Sequence, residues 1–60
     1  MFKPGDIIDI TMSEDGGETV YHNTRVVEVD GALLTVDQHG RITVYNMHSY
    51  NFVRAEAQKK

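Results

Sequence analysis

Three histidines, a group of carboxylates near one end and a group of aromatics near the other are the side chains here whose chemistry goes beyond packing. His22, His39 and His48, joined by Asp37 or Glu28, are the nitrogen and oxygen donors from which a metal site would be built. No pair of them has an established ligand spacing, and His39 falls in a Gly-containing turn where a solvated imidazole is expected anyway. The chain has no cysteine, which excludes disulfides and thiolate ligands. Ser13 and Ser49 are hydroxyl nucleophiles by type, but Ser49 lies next to His48 in sequence and no nucleophile elbow surrounds it. Asp6, Asp9, Glu14, Asp15 and Glu18 offer paired carboxylates for acid–base work. A solvated loop plus the outward face of the first strand is the better account of them, and "SEDGGE" lacks the twelve-residue spacing of a calcium hand loop. No cofactor, no metal and no single-chain enzyme activity are expected, and a catalytic site at an oligomer axis stays open.

The best candidate surface is the aromatic and polar group Tyr21, Tyr45, His48, Tyr50, Asn51 and Phe52. Neighbouring exposed aromatics mark protein contacts. Strict alternation puts Tyr45 outward and gives Tyr50 and Phe52 the parity opposite to Asn51 and Val53. If Val53 faces the core, Tyr50 and Phe52 lean to solvent. The competing reading is structural, with Phe52 capping one end of a small core and Tyr50 reaching its hydroxyl to water.

The elements that must position these groups show a period of two rather than 3.6. "GDIIDITM" (5–12) alternates with Ile8, Ile10 and Met12 on one side, and the polar loop "SEDGGE" (13–18) follows. "TVYHNTRVVEVD" (19–30) reads as a second strand with Val27 and Val29 on one face, leaving Val26 outward or under the preceding loop. "DGA" (30–32) is a hairpin signal, "LLTVD" (33–37) a third strand, and "QHG" (38–40) a tight turn with Gly40 left-handed. "RITVYN" (41–46) alternates with Ile42 and Val44 inward and Arg41, Thr43 and Tyr45 outward, so that 24–46 forms a three-stranded antiparallel meander. "MHSY" (47–50) has the length of one 3₁₀ turn, "NFVRA" (51–55) is a last short strand, and "EAQKK" (56–60) is a frayed tail. The predicted fold is all-β: a small five-stranded barrel over 1–55. Its inward set is Ile8, Ile10, Val20, Val27, Val29, Leu34, Val36, Ile42, Val44, Val53 and Ala55, leaving Ile7, Val26, Leu33 and Phe52 for association.

This order of strand, acidic loop, meander, short turn and strand resembles a Src-homology-3-like barrel over nearly the whole chain. "SYNFV" (49–53) is similar to the Ser-Asn-Tyr-Val ending of Src-homology-3 domains with one residue inserted. The resemblance implies that Phe52 and Asn51 are groove residues for proline-rich peptides, that Val53 is core, and that "SEDGGE" contacts basic peptide residues. The chain has no Trp and no Ala-Leu-Tyr-Asp-Tyr start, so the resemblance is one of topology and not of ligand.

Size and charge narrow the function. Sixty residues make one domain, short enough that a partner or self-association helps it fold. A net charge of −3, with 6 Lys+Arg against 9 Asp+Glu, disfavours a polyanion partner. For nucleic acid, Arg25, Arg41 and Arg54 would have to converge beside Tyr45 so that bases stack on its ring. "MFKPGD" starts no signal peptide and no 18-residue apolar run occurs, so a soluble, cytoplasmic chain with no membrane partner is expected. The expected function is a non-enzymatic module that binds a protein segment or a second copy of itself through the aromatic end and an exposed edge. The alternative is a nucleic-acid-associated small barrel.

Overall fold

The computed structural model describes residues 2–58. Five antiparallel strands, β1 (Ile7–Glu14), β2 (Gly17–Asp30), β3 (Leu33–Gln38), β4 (Arg41–Asn46) and β5 (Phe52–Ala57), form one sheet in the order β4-β3-β2-β1-β5, with no helix among the described residues. The meander of β2, β3 and β4 is present as its alternation predicts. The sheet is not closed into a barrel: β4 and β5 are its two edges, with no ladder between them among the described residues.

Tight turns set the register. Asp15 and Gly16 both have positive φ (51° and 79°), so the acidic stretch is a two-residue hairpin with Glu14 opposite Gly17, not the loop expected over 13–18. Asp-Gly is the preferred pair for such a turn. His39 and Gly40 (φ 56° and 92°) make the same kind of turn between β3 and β4. Between β2 and β3 the turn is Gly31–Ala32, with Asp30 opposite Leu33.

The core is smaller than expected and differently composed. Ile8, Ile10, Met12, Val26, Leu34 and Val36 are buried together, with Phe2, Tyr21, Val29, Tyr45, Met47, Phe52 and Ala55 packed against them. Val20, Val27, Ile42, Val44 and Val53, all expected inside, are exposed, whereas Val26 is buried. Irregularities in pairing explain the strands at fault. Ile8 pairs with Thr24 but Ile10 with Tyr21, so β2 carries one extra residue around His22–Asn23, and Asn23 takes φ 58° to fit it. A second shift lies between Val26 and Glu28. Each extra residue reverses which side chains face the core. The inner face of β2 therefore runs Thr19, Tyr21, Thr24, Val26, Val29, and Val20 and Val27 turn outward. A third shift in β5, where Thr11 pairs with Arg54 and Met12 with Phe52, turns Val53 out and Phe52 in.

On β4 no bulge is needed. The two-residue turn sets Gln38 opposite Arg41, hence Val36 opposite Thr43 and Leu34 opposite Tyr45. Opposed residues share a face. With Leu34 and Val36 in the core, Thr43 and Tyr45 face inward and Ile42 and Val44 must face out.

The connection from β4 to β5 is not a 3₁₀ turn. Ser49 N–H donates to Asn46 C=O (3.0 Å) and Phe52 N–H to Ser49 C=O (3.0 Å), giving two successive β-turns that share Ser49. β5 runs past the expected boundary at residue 55: Glu56 and Ala57 pair with Asp9 and Ile8, and Gln58 N–H reaches Ile7 C=O at 3.1 Å. The rest of the expected tail, Lys59 and Lys60, lies outside the described residues.

Candidate interaction surface

The aromatic group divides in two. Tyr21, Tyr45 and Phe52 are half-buried on the inner face, against the core. The Tyr45 and Phe52 rings are tilted by 60° with centroids 6.4 Å apart, within the range of favourable edge-to-face contact. The Tyr45 hydroxyl accepts from Gln38 Nε2 at 2.7 Å. The Tyr21 hydroxyl donates to Glu14 Oε1 at 2.8 Å, which holds its proton and raises its pKa above the usual phenol value. Tyr45 thus faces inward against its expected outward placing, whereas Phe52, expected outward only if Val53 faced the core, packs against the core while Val53 is exposed.

The remaining members lie on the two β-turns. Asn46 Oδ1 accepts from His48 N–H at 2.9 Å, a side-chain bond that fixes the first turn. Asn51 is half-buried, with Oδ1 accepting from Ser49 Oγ (2.6 Å) and its backbone carbonyl accepting from Ser13 N–H (2.8 Å). His48 is exposed, and Tyr50 is 99% exposed at the tip of the second turn. The structure therefore brings Tyr45 and Phe52 into contact and leaves Tyr50 by itself in water.

The three arginines lie on three different strands, two of them at opposite edges. Arg25 Nη2 is 3.0 Å from Asp37 Oδ2, and Arg54 Nε is 3.2 Å from Glu56 Oε1. Asp37 also accepts from Gly40 N–H (2.7 Å), and that bond, with Arg25 beside it, holds its carboxyl below the usual carboxylate range. Arg41 is exposed at the start of β4, on the Tyr45 side by alternation. Two of the three cations are thus already opposed by a carboxylate.

Among the described residues no three His, Asp or Glu side chains gather as metal ligands. His22 Nδ1 lies 3.4 Å from Asp9 Oδ1, which also accepts from Gln58 Nε2 (3.0 Å) and Asn23 N–H (3.2 Å). The Gln58 bond first, then those from Asn23 and His22, lowers the Asp9 pKa. These bonds fasten the β2 bulge to β1 and to the end of β5. Beside it, a cleft of about 260 Å³ lies between the bulge and the β3–β4 turn, lined by residues that include Tyr21, His22, Gln38 and His39.

The surface that alternation alone missed is the free side of β4. Ile42 is 61% exposed and Val44 58% exposed, with Leu33 on neighbouring β3 at 46%. The closing pair of a two-residue hairpin exchanges both its bonds, so Arg41, Thr43 and Tyr45 point their backbone groups to β3. Met47 N–H, in the same phase, donates to Ala32 C=O at 2.8 Å. The backbone groups of Ile42 and Val44 consequently point off the sheet, where no strand meets them among the described residues. β4 is also the strand without an acidic residue, in a chain of net charge −3. The turn length carried this signal: a two-residue turn at 39–40 forbids Leu34, Val36, Ile42 and Val44 from sharing one face.

Among the described residues no helix is long and apolar enough to cross a membrane. No protein-family model, curated protein or solved structure matches the chain.

Proposed function

We propose that this chain is a non-enzymatic interaction module that takes up an extended polypeptide strand along the free edge of β4. The observation that carries the reading is an unpaired edge whose outward side chains, Ile42 and Val44, are β-branched, uncharged and more than half exposed. Backbone groups left open on a sheet edge supply affinity for an added strand, and alternate side chains supply its selectivity. The likeness to Src-homology-3 domains belongs to this reading as a likeness of element order, supported by the hairpin, meander, turn and strand of the sheet. Tyr21, Tyr45 and Phe52 serve in it as the inner wall beneath the edge, and Tyr50 and His48 as the exposed turn beside it. The cytoplasm is the proposed setting.

The test is a capped peptide of the β4 sequence, Arg41–Asn46, added to dilute protein while backbone amide exchange is followed by NMR. Slowed exchange at Ile42 and Val44, with Val53 on the other edge unchanged, is the expected result. Exchange at Ile42 and Val44 that ignores the peptide up to millimolar concentration would remove the reading.

A further inference from the structure

We infer that the strand taken up by β4 is the β4 of a second copy, paired antiparallel about a two-fold axis through Thr43, so that two sheets become one of ten strands. The inference rests on the reading of β4 as a binding edge and adds its occupant and register.

A two-fold axis perpendicular to the sheet keeps inner faces together and requires a residue to sit opposite itself or symmetrically about that point. Centred on Thr43, Ile42 lies opposite Val44 of the other copy, and the outward face becomes a contiguous patch of two Ile and two Val. Ile42 and Val44 are the two most exposed large aliphatics of each chain. The backbone groups of Ile42 and Val44 that point off the sheet then exchange bonds with those of Val44 and Ile42 across the axis. On the inner face Thr43 meets Thr43, and Arg41 meets the ring of Tyr45. That last pair places a guanidinium beside an aromatic and keeps the two Arg41 charges about 14 Å apart at ~3.4 Å per residue.

Charge selects this edge for contact between identical copies. Each chain carries −3, so like copies repel in general. β4 has no carboxylate, and its single charge, Arg41, is opposed by an aromatic in this register. The other edge is closed to the same use. β5 carries Arg54 and Glu56 and a bulge at Val53, features that interrupt a continuing ladder. A β4–β5 contact would propagate into a filament, whereas a β4–β4 contact closes on itself.

The full chain is sized by sedimentation from micromolar to millimolar concentration, and a reversible monomer–dimer equilibrium with no larger species is expected. Because the chain has no cysteine, T43C oxidised with glutathione disulfide should link two copies across the axis, where opposed Cα atoms lie about 4.5 Å apart. V53C at the other edge should not. V44K should weaken the dimer on the order of tenfold or more by setting a charge against Ile42. Wild-type exchange at Ile42 and Val44 should slow with protein concentration, which keeps the test independent of how the variants fold. A chain that stays monomeric at millimolar concentration overturns the inference. So does a dimer that V44K leaves intact and T43C does not link. If the monomer still slows Ile42 and Val44 exchange on adding the β4 peptide, the binding edge stands and its occupant is another chain.

Discussion

The two edges of this sheet are built from strands of the same length and treated in opposite ways. β5 is covered by an ion pair between Arg54 and Glu56, broken by a shift at Val53, and tied at its end by Gln58 to Asp9 and Asn23. β4 is regular, carries no charge between Ile42 and Asn46, and exposes two β-branched side chains. Charges and bulges on an edge keep other strands from adding to it, at some cost in local regularity. A chain that guards one edge and leaves the other bare has made the bare one available. The unguarded strand, more than the aromatic group, is the feature of this fold that packing alone does not require: Tyr45 and Phe52 are accounted for by the core they cover.

Both edges hang on one core, and core truncation tests this most severely. Leu34 lies opposite Tyr45 on the β4 side and Ile10 opposite Ala55 on the β5 side, both fully buried. Leu34→Ala and Ile10→Ala should each cost about 2–5 kcal/mol, read as loss of the folded baseline in urea titrations. If L34A instead gave a shallow two-phase transition, β4 would be melting alone and its edge would not be a stable template.

Next in size is the contact between the Tyr45 and Phe52 rings, near the end of β4 and at the start of β5. Phe52→Ala removes a half-buried ring from Tyr45 and the core and should cost about 1–3 kcal/mol. Tyr50→Ala, two residues away and fully exposed, should stay within about 0.5 kcal/mol. Equal losses in calorimetry would mean that Tyr50 packs in solution and that the turn belongs to the core.

A smaller effect on folding, but a sharper one on the contrast, comes from stripping the guard. Arg54→Thr together with Glu56→Thr should leave folding stability within about 0.5 kcal/mol, because the pair is exposed. It should produce species larger than a dimer in light scattering, since β5 can then meet β4. Unchanged sizing would show that the bulge at Val53 suffices as a guard.

The mildest test is acid. Asp9 on the β5 side and Asp37 on the β4 side both have folded pKa values below the ordinary 3.8, the first mainly through Gln58 and the second mainly through Gly40 N–H. A depressed folded value means that the carboxylate stabilises the fold at pH above 3.8 and that this contribution fades as pH falls through the lower folded value. Asp9→Asn and Asp37→Asn should each flatten the fall in stability below pH 4. Thermal melts between about pH 2 and 6 that coincide with wild type would contradict it.

Strand content, the antiparallel meander, the turn at His39–Gly40 and the burial of Ile8, Ile10, Leu34 and Val36 follow from the order of residues alone, because alternation and left-handed turn residues are local properties. The length of that turn also held the outward placing of Ile42 and Val44, since a two-residue turn couples the parities of the strands it joins. The rest was fixed by how the strands pack together. The bulges at His22–Asn23, Val27 and Val53 reverse the faces of β2 and β5, and a bulge is chosen by how two strands must bend to share a core, not by the residues that form it. Hence Val26 and Phe52 went in while Val20, Val27 and Val53 came out. Whether β4 and β5 meet was likewise a matter of sheet curvature summed over five strands, which no local pattern specifies.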